Sequence, residues 1–166
     1  MNNLGAPAGA GPLVRAGSAD DLKALDPLWR RFYEDQREQG MRSVVPNTGF
    51  AEWLAAMRPG LGRFAYLVVA EESGRLVGFV AGRVRAMPRH LGGEAAGWIT
   101  EVWVEPSHRS RGVAAAMVGV SVDWFRGQGI RRIELQIVVG NDAARRLYAR
   151  LGFAEELVQM VLERAD

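Results

Sequence analysis

Between Val102 and Ala114 the chain reads VWVEPSHRSRGVA. β-Branched and aromatic residues at its start predict a strand, which Pro106 ends. A short loop containing Arg109, Arg111 and Gly112 then leads directly into an apolar helical pattern. Because the first backbone N–H groups of a helix have no partner within it, this order is typical of an anion-binding cradle. An ordinary strand-to-helix turn with two solvated arginines fits the same pattern.

A second patterned stretch, NDAARRLYARLGF, occupies residues 141–153. Asn141 is a good N-cap, because its side chain can accept a hydrogen bond from the first helical turn. Tyr148 falls on the apolar face of the predicted helix, and Gly152 is typical of a C-terminal stop. One predicted helix and one predicted strand separate this stretch from the first.

Together the two stretches resemble the motifs of the GNAT superfamily of N-acetyltransferases. Residues 109–114 match the pattern Q/R-x-x-G-x-G/A after a strand that ends V-x-P. Residues 141–153 match N-x-x-A-x-x-x-Y-x-x-x-G-F, and the resemblance extends over about Leu13 to Arg164. It implies an enzyme that takes an acetyl group from acetyl-CoA, as co-substrate, and transfers it to an amine without a metal.

Periodicity along the rest of the chain predicts an α+β fold. Alternating or continuous apolar runs predict strands at residues 13–16, 64–72, 75–84, 96–105, 131–139 and 156–164. Helical spacing predicts helices at residues 20–39, 50–57, 113–126 and 142–151, and the cluster that begins at Ser18 is typical of a cap for the first. A turn at Ser73–Gly74 predicts that the second and third strands form an antiparallel hairpin. We expect a flexible tail at residues 1–12 and one GNAT-like domain at residues 13–166. Its mixed, mostly antiparallel twisted sheet would have six to seven strands, flanked by about four helices.

The resemblance also assigns roles to single positions. Backbone N–H groups of the loop would hold the pyrophosphate of acetyl-CoA, and the preceding strand would pair with the pantetheine arm. Asn141 would hydrogen-bond the pantetheine chain, although helix capping alone also explains it. The predicted cofactor-binding residues are Val102, Val104, Arg109, Arg111, Gly112, Val113, Ala114 and Asn141.

Glu101 is the candidate general base. It lies in the middle of a predicted strand, where strict alternation places Ile99 and Trp103 on its own face. A carboxylate in apolar surroundings has a raised pKa, which suits removal of a proton from an amine, directly or through water. The alternatives are a Glu that faces solvent or pairs with an arginine, and a base made only of a water chain.

Tyr148 is the candidate general acid. In the family that it resembles, this position protonates the departing CoA thiolate. A phenol has a pKa of about 10 and a thiol a pKa of about 8.5. Proton transfer from the phenol to a thiolate is therefore only slightly unfavourable. Because Tyr148 also lies on the apolar helix face, a purely structural role in the core is the alternative.

The resemblance places the acceptor site against the first two helices. Trp29 and Tyr33 are therefore the candidate substrate-binding residues, and acidic neighbours such as Glu34 and Glu38 suit a cationic amine. We expect the acceptor to be an amine-bearing small molecule or a peptide, and the choice among them stays open. A homodimer through the last strand or the apolar helices is compatible with the sequence.

Composition excludes several kinds of site. The 166 residues include no Cys and two His, which excludes disulfides, thiolate metal sites and a Cys nucleophile, so acyl transfer would be direct. A multi-histidine metal site is disfavoured for the same reason. The first residues lack the pattern of a secretory signal, and the chain has no run of about 18 apolar residues. We therefore expect a cytoplasmic protein without a membrane span.

Charge is distributed unevenly along the chain. Eight arginines and three acidic residues lie between Arg109 and Arg150, and this positive field suits a phosphate-rich cofactor. A nucleic-acid surface is the weaker alternative, because the aromatic residues follow apolar stripes instead of alternating with the arginines. The main alternative is a catalytically silent module that binds or senses acyl-CoA and needs neither Glu101 nor Tyr148.

Overall fold

The computed structural model describes residues 11–162. Within this range the strands are β1 (Leu13–Ala16), β2 (Ala65–Glu72), β3 (Arg75–Ala86), β4 (Ala95–Val104) and β5 (Arg132–Leu135). The α-helices are α1 (Ala19–Ala24), α2 (Asp26–Glu38), α3 (Gly49–Met57), α4 (Val113–Gly127) and α5 (Asp142–Arg150). Short 3₁₀ helices lie at Arg58–Gly60, Arg89–Leu91 and Pro106–His108.

The five strands form one sheet in the order β1-β2-β3-β4-β5. Neighbouring strands among the first four run antiparallel to one another, and β2 and β3 form the predicted hairpin through Ser73–Gly74. β5 is parallel to β4, because α4 carries the chain back across the sheet between them. The predicted α+β class and mixed, mostly antiparallel sheet are confirmed.

Each face of the sheet has its own apolar core. Phe79 and Trp103 are buried on the face that α1, α2 and α3 cover, together with Phe32 of α2. Val80 is buried on the opposite face, beneath Met117 of α4 and near α5. Burial of each such large side chain contributes about 1.5–3 kcal/mol, so the two layers of helices are held to the sheet mainly by these cores.

One residue interrupts the pairing of β3 with β4. Ala81 pairs with Glu101 whereas Gly82 pairs with Ile99, so Thr100 is an extra residue in β4. A β-bulge of this kind reverses the alternation of side chains beyond it. Ile99 accordingly lies in the core beneath α4, and Glu101 lies on the face of α2. The prediction that these two residues share a face is therefore wrong.

The described residues contain five strands and five α-helices, instead of six to seven strands and about four helices. The predicted first helix is two helices, because Pro27 has no N–H to continue the hydrogen bonding of α1 and instead lies in the first turn of α2. Ser18 caps α1 through a reciprocal pair of hydrogen bonds with Asp21.

The predicted strand at residues 156–164 is wrong for residues 156–162, which form no strand, and residues 163–164 lie outside the described range. Leu157, Val158 and Met160 are each more than 80% exposed, so their alternation has no apolar surface to pack on. Side-chain contacts to β5, such as that between Arg132 and Glu156, hold this segment beside the sheet. Of the predicted tail, residues 1–10 also lie outside the described range.

Candidate active site

Strand β4 has two neighbours along only part of its length. Residues Ala96–Ile99 pair with β5, whereas residues 100–104 (the open half of β4) have no partner strand on that side among the described residues. After β5 the chain leaves β4, and Val138 and Val139 pack beside Gly40 at the end of α2. The predicted strand at residues 131–139 is therefore limited to Arg132–Leu135. Within the described range, the backbone of residues 100–104 therefore has no strand neighbour on the β5 side.

The loop predicted to bind phosphate lies between the open half of β4 and α4. Ser110 and Gly112 have φ values of 61° and 79°, and Gly112 is the N-cap of α4. Glycine is suited to this position because left-handed backbone strains residues that carry a Cβ. The first turn of α4 has no side-chain cap and no acidic residue. Its N–H groups are therefore available to an anion, as in the predicted cradle at residues 111–114.

The two arginines of the loop differ in their contacts. Arg109 donates from Nε to the Val104 carbonyl at 3.0 Å, pairs with Asp35 at 3.1 Å and stacks over Trp103 at 4.5 Å. Its side chain thus ties the loop to β4 and α2, so any contact with a phosphate falls to its backbone. Arg111 is exposed beside Gly112, where its charge adds to the positive field of the helix terminus.

Glu101 lies just beyond the bulge and is only 3% exposed. The Tyr33 hydroxyl donates to its Oε1 at 3.0 Å, and the Thr100 hydroxyl donates to its other oxygen. Burial raises the pKa of the Glu101 carboxyl, while these two donors, Trp53 and the positive charge of Arg83 oppose the rise. A buried carboxyl with a raised pKa can accept a proton from an amine near neutral pH, so the site is suited to general-base chemistry.

Tyr148 occupies the other face of the sheet. It is 7% exposed, and its ring packs edge-on against Phe153 with centroids 5.8 Å apart. Burial raises the pKa of its phenol, which keeps the hydroxyl protonated over the physiological range. Both its buried position and its retained proton agree with either of the two roles considered above.

Asn141 caps α5, as predicted. Its Oδ1 accepts a hydrogen bond from Ala144 N at 2.9 Å, which satisfies one of the first N–H groups of the helix. The cap uses the side-chain oxygen alone, and the amide nitrogen supplies two further donors. The capping function and a contact with a ligand are therefore chemically compatible.

The predicted acceptor residues line a surface pocket between α2 and the segment before α3. The rings of Trp29 and Tyr33 pack at a tilt of 55° with centroids 4.5 Å apart, and the wall continues through residues 45–47. Glu34 and Arg37 line both this pocket and the one beside it, and Glu38 and Arg42 line the second pocket. The rim of the two pockets therefore carries both positive and negative charges. Tyr33 links the pocket to Glu101 through the hydrogen bond described above.

Sequence patterns did not identify the surroundings of Glu101. Tyr33, Trp53 and Arg83 come from α2, α3 and β3, and their approach to one carboxylate depends on how α2 and α3 pack on the sheet. No local spacing predicts such a contact. An internal glutamate in an apolar strand was the only available signal, since it needs donors once it is buried.

Among residues 11–162, no group of three or more acidic or histidine side chains is arranged to hold a metal. None of the helices in this range is both long and apolar enough to cross a bilayer.

Comparison with known proteins identifies the family. Residues 22–153 match the model of the acetyltransferase (GNAT) family. An uncharacterized N-acetyltransferase of Methanocaldococcus jannaschii is 36% identical over 145 residues, which cover 87% of this chain and 62% of that protein. A mycothiol acetyltransferase of Renibacterium salmoninarum is 27% identical over 137 residues, covering 69% and 40%. The chain thus spans 62% and 40% of the lengths of these relatives.

The same fold occurs in a solved structure. A predicted acetyltransferase of Clostridium acetobutylicum, crystallised with acetyl-CoA, superposes with a TM-score of 0.75 at 20% identity. The match covers 92% of this chain and 96% of that one. The family predicted from the sequence motifs is confirmed. On the match of residues 22–153, this chain belongs to the GNAT family of acetyltransferases.

Proposed function

We propose that this chain transfers the acetyl group of acetyl-CoA to the primary amine of a small molecule or peptide by direct attack. The observation that carries the proposal is the position of Glu101. Its buried carboxylate lies immediately after the bulge, at the point where β4 ceases to pair with β5. A proton acceptor therefore lies where a ligand can pair with the strand.

The open half of β4 and the start of α4 would hold the acyl donor. Backbone groups of Val102 and the N–H of Val104, whose carbonyl already accepts from Arg109, would pair with the pantetheine arm. The N–H groups of residues 111–114 would bind the pyrophosphate. The unpaired edge and the uncapped first turn of α4 support this assignment. An N–H of the open half of β4 would also polarise the thioester carbonyl during attack.

Glu101 would act as the general base. The amine nitrogen forms a bond to the thioester carbon as its proton passes to the Glu101 carboxylate, directly or through one water. The carbon–sulfur bond then breaks, and its electron pair leaves with the CoA thiolate. The reaction needs no acyl-enzyme, in keeping with a chain that has no cysteine.

Tyr148 would donate a proton to the departing thiolate. Burial keeps the phenol protonated but also makes it a weaker acid, so the phenolate left by the donation would be reprotonated from water. Its helix α5 is capped by Asn141, which would position the pantetheine chain. A thiolate is already a stable leaving group at neutral pH, so the help from Tyr148 is smaller than that from Glu101.

The acceptor would enter through the pocket lined by Trp29 and Tyr33 and reach Glu101 past the Tyr33 ring. The rim of this pocket carries both positive and negative side chains. This supports an acceptor with charged groups of both signs near its amine, such as an amino acid or a peptide. The similarity to a mycothiol acetyltransferase adds the unacetylated form of mycothiol to the acceptors to be tested.

Two measurements in sequence test the proposal. Acetyl-CoA at a hundredfold excess over its Kd adds about 2.7 kcal/mol of stability, which should raise Tm by about 5–10 °C, and ATP should not. Thiol release with a panel of amines then tests turnover. Stabilisation by acetyl-CoA without thiol release from any amine would favour the silent acyl-CoA-binding module. Absence of stabilisation would contradict the proposal altogether.

A homodimer is a separate part of the proposal. Leu157, Val158 and Met160 lie exposed beside β5 and offer an apolar surface to a second copy. Light scattering on the wild type and on a variant with Leu157 and Val158 replaced by Ser should give a dimer and a monomer, respectively. A wild-type monomer at micromolar concentration would contradict it. A cytoplasmic location stays a prediction.

A further inference from the structure

We propose that Tyr33 and Trp53 are positioning residues for Glu101, and that together they hold its carboxylate in the ionised form that accepts the proton. This inference rests on the proposed function, because it concerns the same reaction. It assigns Tyr33 a second role beside acceptor binding and gives Trp53 a role that no sequence motif indicates.

The hydrogen bond from Tyr33 is direct. Its hydroxyl lies 3.0 Å from Glu101 Oε1, and its ring is fixed by contacts with Trp29 at 4.5 Å and with Phe32 at 4.8 Å between centroids. The hydroxyl therefore has one well-defined direction, toward the carboxylate. A hydrogen bond from a neutral donor to a charged acceptor is among the stronger kinds in proteins.

Trp53 approaches the same carboxylate from α3. It is 8% exposed, and its Nε1 is buried without an acceptor within 3.5 Å among the described residues. Its N–H lowers the pKa of the Glu101 carboxyl, which places the indole on the carboxylate's side of the sheet. A buried N–H without an acceptor is costly, and an ionised Glu101 carboxylate is an acceptor that would satisfy it.

An aromatic cluster fixes the relative position of α2 and α3. Trp29 contacts Phe50 and Trp53 with centroids 5.7 and 6.2 Å apart, and Phe50 stacks on Trp53 at 5.8 Å. These contacts place the two donors on two different helices at one carboxylate. Because Trp29 and Tyr33 also line the acceptor pocket, the residues that receive the amine are continuous with those that hold the base.

Other charged and titratable groups near Glu101 define the expected direction of change. Arg83 of β3 lowers the pKa of Glu101, and Tyr66 of β2 lies near enough for the Glu101 charge to raise the pKa of its phenol. Both remain when Tyr33 or Trp53 is replaced. Burial raises the pKa of Glu101, and the two donors oppose that rise. Removal of either donor should therefore raise the pKa further, so that the carboxylate is protonated at higher pH.

Titration of the Glu101 carboxyl by ¹³C NMR tests this inference without an acceptor. The resonance is assigned by its loss in Glu101→Gln, and it is followed in Tyr33→Phe and Trp53→Phe. At the wild-type midpoint, the ratio of ionised to protonated Glu101 should fall by about tenfold in Tyr33→Phe, and in the same direction in Trp53→Phe. Tyr66→Phe, which removes a buried hydroxyl from the opposite face, is the matched control. It should leave the midpoint in place, because the raised pKa of Tyr66 keeps its phenol uncharged while Glu101 titrates.

Unchanged midpoints in both variants would overturn the inference, as would an equal displacement in Tyr66→Phe. The proposed function is tested separately by thiol release from Glu101→Gln. If that variant keeps wild-type turnover, Glu101 is not the base and the positioning role falls with it. If turnover is lost while Tyr33→Phe and Trp53→Phe titrate like the wild type, the base is retained and only the positioning role fails.

Discussion

The two halves of β4 show what a second neighbour does to a strand. Ala96–Ile99 is hydrogen-bonded on both sides, to β3 and β5, and serves the sheet alone. The open half, residues 100–104, keeps β3 but lacks a strand on its other side among residues 11–162. A strand edge without a partner can bind a ligand, because its backbone N–H and C=O groups can form hydrogen bonds with it.

The bulge at Thr100 lies at the junction of the two halves. It turns Glu101 away from the α4 core and toward Tyr33 of α2, while pairing with β3 resumes on both sides of it. One extra residue thus separates a structural half of the strand from a half that carries a reactive group. The comparison predicts that changes at or beyond the bulge affect chemistry and ligand binding.

The largest effect is expected at Glu101. Glu101→Gln keeps the size of the side chain but removes the proton acceptor, so kcat/KM should fall by about 10²- to 10⁴-fold in a thiol-release assay. Glu94→Gln, an exposed change just before β4, is the control and should be neutral. Wild-type turnover in Glu101→Gln would show that Glu101 is not the base, and that the two halves of β4 do not differ in their role in the reaction.

A smaller loss is expected from Tyr148→Phe. We expect kcat to fall by about tenfold, since the thiolate can leave unaided and only the proton donor is missing. Burial keeps the phenol protonated, so the factor should be the same at each pH tested between about 6 and 9. Affinity for acetyl-CoA should be retained. A loss that grows toward one end of the pH range would contradict the assigned role.

A matched pair of glycines tests the start of α4. Gly112 has a φ of 79° and Gly119 lies within the helix, yet a Cβ at either position would meet no atom within 4 Å. Gly112→Ala should weaken acetyl-CoA binding and cost about 1 kcal/mol, whereas Gly119→Ala should stabilise the fold by about the same amount. Calorimetric titration and thermal unfolding measure both. Equal effects of the two substitutions would show that the backbone of Gly112 has no special function.

The smallest effect concerns stability. Burial raises the pKa of Glu101 in the folded protein, so the folded state binds its proton more tightly than the unfolded chain. Wild-type stability therefore declines as pH rises from the ordinary pKa of an unfolded glutamate to the raised pKa of Glu101 in the folded protein. Glu101→Gln removes this decline because glutamine does not ionise. The variant should have the higher Tm at about pH 9, and the difference should narrow toward about pH 5. A higher wild-type Tm at alkaline pH would contradict the described burial.

Local patterns predicted the features that depend on neighbours in sequence. The hairpin at Ser73–Gly74, the caps at Ser18 and Asn141 and the turn into α4 at Gly112 were all identified from residue type and spacing. These features arise from short-range sterics and hydrogen bonds, which the sequence displays directly.

Features that depend on distant segments were missed. Nothing in the run from Ala95 to Val104 indicates that Thr100 is an extra residue, because a bulge is defined by pairing with β3. The orientation of Glu101 and its contact with Tyr33 depend on that bulge. The strand predicted from the apolar alternation at residues 156–162 does not form for a related reason, because a strand needs a neighbouring strand to pair with.

Hydrogen–deuterium exchange with and without acetyl-CoA tests the central claim, that the open half of β4 and the start of α4 hold the acyl donor. We predict that acetyl-CoA slows exchange in residues 100–104 and 112–116. Residues 96–99, already paired on both sides, should exchange slowly in either state. Protection confined to other parts of the chain, or equal protection along all of β4, would contradict the account.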